Sequence, residues 1–326
     1  LADLPPAVAA ALDRVAPGRR EQAKLLRRYD HAYEVYNASA PSTVEPWQSK
    51  LRVKYGKQVI DTALVNIVSG MPRIMVRPRH PESERGAKAM QILLDYYVGE
   101  DHLVEAQPLF TQQALICGVT VAKVHWLYRE ADRPIKTFSH NPMDPAVLIT
   151  SAQMQKMVLK DGPTFEPWSA YHSFWEPGAR DVDSAAYVVL QTWLSKDELE
   201  QMAFDENTKQ GVYHNVPALL DTGAAKAPNQ SAQDKIRGYD EKFKDKFLVE
   251  EIWTDDEVVV VGNGQVLLRN QPNPYWHGKK PIVIAQTNPD LFEMVGASET
   301  ELVDHIQQAL HTVQNMRFDN MHLTVM

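Results

Sequence analysis

Apolar residues return at three- to four-residue spacing through the first 37 positions, at Val8, Leu12 and Val15 and then at Leu25, Leu26, Tyr29 and Tyr33, with charged residues between them. That period predicts helix, with Pro17-Gly18 dividing it into two halves. A second helical pattern covers 57–69, with Val59, Ile60, Ala63, Leu64, Ile67 and Val68 on one broad face, and ends at Met71-Pro72. The segment 74–78 reads as a strand, and 83–97 and 103–117 as two amphipathic helices. Gly118 then opens a strand over 119–128, where Val121, Lys123, His125 and Leu127 alternate against Ala122, Val124 and Trp126. Asn141-Pro-Met-Asp-Pro145 is a turn, and 147–160 fits helix and strand equally.

Two strand-like runs, 168–175 and 186–193, flank the loop Glu176-Pro-Gly-Ala-Arg-Asp181. Ser195-Lys-Asp-Glu198 has the spacing of a capping box, in which the serine takes an orphan N–H and the glutamate reaches back, so a helix should run over 197–204. Residues 208–231 are small, polar and interrupted by Pro and Gly, hence a linker. A β meander follows, with strands at 247–253, 258–261, 265–269 and 282–286, and Gly262-Asn263-Gly264 suits a turn needing positive φ. Ser298-Glu-Thr-Glu301 is a second capping box. It launches a long helix with Leu302, Ile306, Leu310, Val313 and Met316 down one side and Gln307, Gln308, His311, Gln314, Asn315 and Asp319 on the other.

Composition narrows the class. With 326 residues, 44% hydrophobic and 23% charged, the chain has room for about two globular domains. No apolar run approaches the ~18 residues of a membrane span, and 4–15 lacks a preceding basic segment, so it reads as a helix rather than a secretory signal. The single cysteine, Cys117, sits in an apolar run and excludes an intrachain disulfide. A protein that grips nucleic acid is normally basic on its binding face, so a net charge of −8 argues against tight holding of DNA, which an acidic chain can still meet. The one basic cluster, Arg19, Arg20, Arg27 and Arg28, reads as a solvated helix face, with Arg27 and Arg28 as the alternative contact to DNA or an acidic partner. The chain opens on Leu1 and stops at Met326 inside a helical pattern, so a piece of a longer polypeptide is expected.

Catalytic signals are sparse. Neither G-x-x-x-x-G-K-[ST] nor G-x-G-x-x-G occurs. His305 and His311 are six apart, not at the i, i+4 spacing of helical metal ligands. Asp181-Val-Asp183 and Asp255-Asp256 are the nearest approach to paired carboxylates, and both lie in turns where Asp bonds backbone. No metal, cofactor or catalytic residue is expected. A metal-dependent hydrolase with a dispersed site at Asp181 and Asp183 is the rival reading.

The C-terminal third carries a resemblance. Glu251-Ile-Trp-Thr-Asp-Asp256, Val266-Leu-Leu-Arg-Asn270, Asn273-Pro-Tyr-Trp-His-Gly278, Pro281, Gly296-Ala-Ser-Glu-Thr-Glu301 and Gln314-Asn-Met-Arg-Phe-Asp-Asn320 follow one another in the order and spacing of a tailed-bacteriophage portal (head–tail connector) protein. Upstream, Pro46-Trp47, Asp61-Thr62, Asn66-Ile67, Gly118-Val-Thr-Val-Ala-Lys-Val-His-Trp126, Trp168 and Phe174-Trp-Glu-Pro-Gly-Ala-Arg180 resemble the same family. The resemblance implies an α+β subunit with an α/β wing, a helical stem and a small antiparallel β clip, assembling into a ring, usually a dodecamer, at one capsid vertex of the virion. Such a ring, made in the host cytoplasm, passes duplex DNA without sequence specificity during packaging and ejection. Its partners would be terminase, a head–tail adaptor, and the major capsid and scaffolding proteins, with no membrane. Another head-completion or tail module is the second rival.

By that likeness 1–195 is wing, 196–246 holds a helix, a linker and a first stem helix near 230–243, 247–290 is clip, and 291–326 is the second stem helix. Pro228 and Gly238 depart from the pattern by weakening the first stem helix. Leu302, Ile306, Leu310, Val313 and Met316 are then the subunit interface, Gln307, Gln314 and Asn315 face the channel, and Tyr275, Trp276 and His277 touch adaptor or terminase. Trp253 is placed equally well in the core or at an interface.

Overall fold

The computed structural model describes residues 4–39, 49–70, 74–100, 103–140, 148–204, 211–225 and 245–325. Pro46-Trp47, Met71-Pro72, the turn at 141–145 and the stem helix expected at 230–243 lie outside them. The fold is α+β. Among the described residues there are seven α-helices, α1 (Pro6–Asn37), α2 (Tyr55–Val68), α3 (Glu84–Glu100), α4 (Leu103–Cys117), α5 (Lys196–Met202), α6 (Val216–Asp221) and α7 (Glu299–Val325). Eight strands, β1 (Thr120–His140), β2 (Leu148–Trp168), β3 (Ser173–Trp175), β4 (Val188–Leu194), β5 (Phe247–Trp253), β6 (Glu257–Gly262), β7 (Val266–Pro272) and β8 (Ile282–Ala285), form two antiparallel sheets. No described helix is long and apolar enough to cross a membrane.

The chain divides into two compact units: Leu1–Met71, Gln107–Ala122 and Pro167–Met326 make the first, and Pro72–Ala106 with Lys123–Glu166 the second. The boundary expected near 195 therefore falls inside one unit. The first unit is built on the five-stranded sheet β3-β4-β5-β6-β7. The strands expected as a separate clip continue directly from the expected wing, since β4 pairs with β5 along its length, from Val188↔Trp253 to Leu194↔Phe247. The expected fourth strand of the meander, β8, belongs instead to the other sheet, of order β2-β1-β8.

Strand alternation decides how the sheet is covered. Val189, Ile252, Val259 and Val261 face one way and pack with Val8, Ala11 and Val15 of α1. Val188, Leu190, Val249, Val258 and Val260 face the other way and pack with Leu199 of α5 and Val216 and Leu219 of α6. Both faces are buried, so β6 is apolar at four consecutive positions rather than at every second one. The β6–β7 turn has Asn263 at φ 49° and Gly264 at φ 66°, the geometry of a tight hairpin.

Pro17-Gly18 does not break α1, which runs unbroken for 32 residues. The Gly18 N–H donates to the Tyr187 hydroxyl at 3.0 Å. A Cβ at residue 18 would stand 2.5 Å from the Trp175 carbonyl oxygen. The pair is a contact notch where the helix meets the sheet, and tertiary packing overrides the local stop signal. Arg19 completes the seam: its guanidinium binds both oxygens of Glu250, a carboxylate almost wholly buried, at 2.8 and 2.7 Å.

In the second unit β1 and β2 are neighbouring strands far longer than the pattern at 119–128 suggested, and the segment read equally as helix or strand is strand from Leu148 on. Segment 74–78, expected as a strand, forms no strand. Gln91 of α3 accepts from the Val76 N–H at 2.7 Å and donates to the Ile74 carbonyl at 2.8 Å, taking the place of a partner strand. Tyr97 of α3 lies against Gly162 and packs edge-on to Trp126.

Candidate assembly surface

The second capping box forms as the spacing predicts: the Ser298 N–H donates to Glu301 Oε2 at 3.0 Å and the Glu301 N–H to Ser298 Oγ at 3.1 Å. Glu301 also holds Arg28 through both carboxylate oxygens, and Arg28 donates to the Gly296 carbonyl at 2.8 Å. The Arg28 hydrogen bond is the main reason the Glu301 carboxyl lies below its ordinary range. Arg28 is thus neither a solvated residue nor a free DNA contact: its charge is consumed in fixing the start of α7 to α1. Arg27 is exposed.

Apart from the exposed Gln308, the polar side of α7 is turned toward the subunit. Ser49, Leu51, Val53 and Gly56 donate their backbone N–H groups to Asp319 (2.8 Å), Asn315 (2.9 Å), His311 (3.0 Å) and Gln307 (2.6 Å). Four residues of helix rise about 6 Å, and two residues of extended chain about 6.6 Å. A side chain at every fourth helical position therefore meets the N–H at every second position of 49–53, and Gln307 takes the N–H that opens α2. Gln307, only 4% exposed, also donates to the Val35 carbonyl at 2.8 Å, and Gln314 donates to the Tyr55 hydroxyl at 2.7 Å. Gln307, Gln314 and Asn315, expected to face a channel, are instead spent inside the subunit. The reason is that 49–53 has no strand partner among the described residues, and its N–H groups find acceptors on α7 instead.

The apolar stripe is left outside. Leu302, Ile306, Leu310, Val313 and Met316 are all exposed, Ile306 at 63%, and the exposure continues through Phe318, Met321 and Leu323. A surface helix normally shows the reverse arrangement. The second unit shares this deficit. Among the described residues none of its apolar side chains is buried, and Ile92, Tyr96, Trp126, Tyr128 and Val158 are exposed.

A further exposed group sits on the loop after β7. Tyr275 is partly buried and packs against Trp253, itself a core residue. His277 stacks on Tyr275 with ring centroids 5.4 Å apart, and Trp276 points away, 96% exposed. The loop is stiff: Asn273 accepts from the Tyr275 N–H at 3.0 Å, Gly278 takes φ 66°, and the buried Lys280 ammonium binds Asp255 at 2.6 Å.

The acidic residues of the rival hydrolase reading have partners. Asp181 accepts from the Ser184 N–H at 2.6 Å, the chief reason its carboxyl is held below the ordinary range, and Asp183 pairs with Lys279 at 2.6 Å. Among the described residues no three His, Cys, Asp or Glu side chains cluster as metal ligands would. Burial pushes the Cys117 thiol up to about 12, which disfavours the thiolate.

The ladder to 49–56 and the bare second unit are what sequence reasoning missed. The i, i+4 row of amide, imidazole and carboxylate acceptors on α7 was a visible signal, but its target lies more than 250 positions upstream. The sequence matches no model of a known protein family and no curated protein.

Proposed function

We propose that the chain is a structural subunit of a tailed-phage portal, assembling into a ring through which genomic DNA passes, with no catalytic role. The observation that carries this reading is α7: side chains of its polar side bond to 49–56 within the subunit, and its apolar stripe is exposed among the described residues. Burying that stripe against a second copy would gain about 25 cal/mol per Å². An exposed apolar face of this length marks an association surface. The exposed apolar side chains among the described residues of the second unit add to the surface available to neighbours.

In this reading α7 is a stem helix whose stripe packs between copies, and the loop bearing Trp276 is the site for terminase or an adaptor. The surface that DNA meets does not include Gln307. A net charge of −8 favours passage over capture, because phosphate neutralisation dominates affinity for duplex. Negative-stain images and mass photometry of the full-length protein at micromolar concentration test the proposal. A winged ring with an open centre, usually of twelve copies, is expected, and a monodisperse monomer overturns it.

A further inference from the structure

The sequence holds a single Asn-Gly pair, Asn263-Gly264. In an unfolded chain such a pair is the one most prone to lose ammonia, because glycine has no side chain to hinder its own N–H from attacking the asparagine carboxamide. In the fold that carboxamide is engaged at both ends. Its Oδ1 accepts from the Leu248 N–H at 3.0 Å, and its Nδ2 donates to Thr222 Oγ1 and to the Gly223 carbonyl, each at 2.9 Å.

One side chain thereby ties the β6–β7 turn to the start of β5 and to the end of α6. The turn is tight, since the Gln265 N–H donates to the Gly262 carbonyl at 2.9 Å and both residues between have positive φ. It is also seated against α6: a Cβ at residue 262 would stand 2.7 Å from the side chain of the buried Leu219. The Thr222 hydroxyl donates to the Leu219 carbonyl at 2.6 Å, so toward Asn263 it accepts. Attack by the Gly264 nitrogen requires the carboxamide carbon to swing onto it, which takes Oδ1 and Nδ2 away from all their partners.

We infer that Asn263 is a modification site gated by this corner: it is preserved while α6, β5 and the turn are closed on it, and it deamidates when they part. The Gly264 nitrogen bonds to Cγ, the Cγ–Nδ2 bond breaks, and the proton lost from Gly264 leaves with Nδ2 as ammonia. Water then opens the cyclic imide at either carbonyl, giving aspartate or isoaspartate. Neither product restores the clamp. A carboxylate only accepts, so the Gly223 carbonyl loses its donor, and the Thr222 hydroxyl must abandon Leu219 to bond it. Isoaspartate also adds a main-chain carbon to the turn and disturbs the pairing of β6 with β7. Opening of the corner is thereby recorded as a permanent change, whether or not copies of the chain assemble.

The test follows the full-length chain by peptide mass mapping during incubation at mildly alkaline pH, in native buffer and in urea. Conversion at Asn263 should be the fastest of any asparagine in urea. In native buffer it should be at least about tenfold slower, because opening forfeits the bonds of the amide. Thr222→Val removes one acceptor and leaves the Asn-Gly pair intact; it should speed conversion severalfold in native buffer and leave the rate in urea unchanged. Asn263→Asp, the product made directly, should shift the folding equilibrium about tenfold toward the unfolded form. Equal rates at Asn263 in the two buffers overturn the gate, and so does a Thr222→Val chain that folds like the parent yet converts no faster. If Thr222→Val fails to fold, the two rates of the parent decide alone. An Asn263→Asp chain as stable as the parent overturns the lasting effect on the corner.

Discussion

Replacing Ile306 by aspartate separates the two roles assigned to α7. In the single subunit Ile306 is 63% exposed, so most of its burial free energy has not been gained. Full burial of such a side chain is worth about 1.5–3 kcal/mol, which leaves roughly 1–2 kcal/mol to be realised at an interface. Aspartate forfeits that and adds the cost of desolvating a carboxylate, at least about 2 kcal/mol. The expected loss is therefore about 3 kcal/mol or more per contact, over a hundredfold in association. The cost to the isolated subunit is a helix-propensity difference of about 0.5 kcal/mol, a shift of only 1–2 °C in Tm. Mass photometry across nanomolar to micromolar concentration, with circular-dichroism melting alongside, reads both quantities. If Ile306→Asp assembles like the parent, or melts many degrees lower with assembly intact, the stripe is not an intersubunit surface and the argument from α7 fails.

Other substitutions probe the scaffold behind it. Gln307→Leu should cost about 2 kcal/mol in urea unfolding, because it orphans the buried Gly56 N–H and leaves the Val35 carbonyl with only the Ala38 N–H. Arg28→Gln should cost about 2 kcal/mol, whereas Arg27→Gln should fall within about 0.5 kcal/mol. The depressed Glu301 carboxyl contributes stability that is complete above its unfolded pKa of about 4.3 and is lost as pH falls through the lower folded value. Arg28→Gln should therefore flatten the acid limb of a stability–pH profile. Gly118→Ala should destabilise by more than about 2 kcal/mol in the same unfolding assay, since φ is 77° and the new Cβ would collide with the Gly296 carbonyl oxygen.

What could be read in the sequence was whatever the chain decides locally. Both capping boxes and the Gly262-Asn263-Gly264 turn formed where spacing placed them, because serine, glutamate and positive-φ residues act within four positions. Pro17-Gly18 misled for the complementary reason: its stop signal is local, but the Tyr187 hydroxyl and Trp175 carbonyl that make use of it are remote in sequence. The length of β1 was hidden because its polar stretch after Tyr128 lacks the alternation of a half-buried strand. On α7 the division into an apolar and a polar side was plain. Which side faced inward was not, because hydrophobicity alone sends leucine inward, and the decisive claim came from the unpaired N–H groups of 49–56.

Side-chain acceptors hold α7 by a different law than grease would. Apolar contacts tolerate a few degrees of roll or an ångström of slip at little cost, whereas hydrogen bonds weaken steeply off axis. Four rungs spaced a turn apart index the rod: it can move along 49–56 only by forfeiting all four together, and the next matching setting lies about 6 Å away. Every copy of the molecule consequently holds its bare edge at the same azimuth and height.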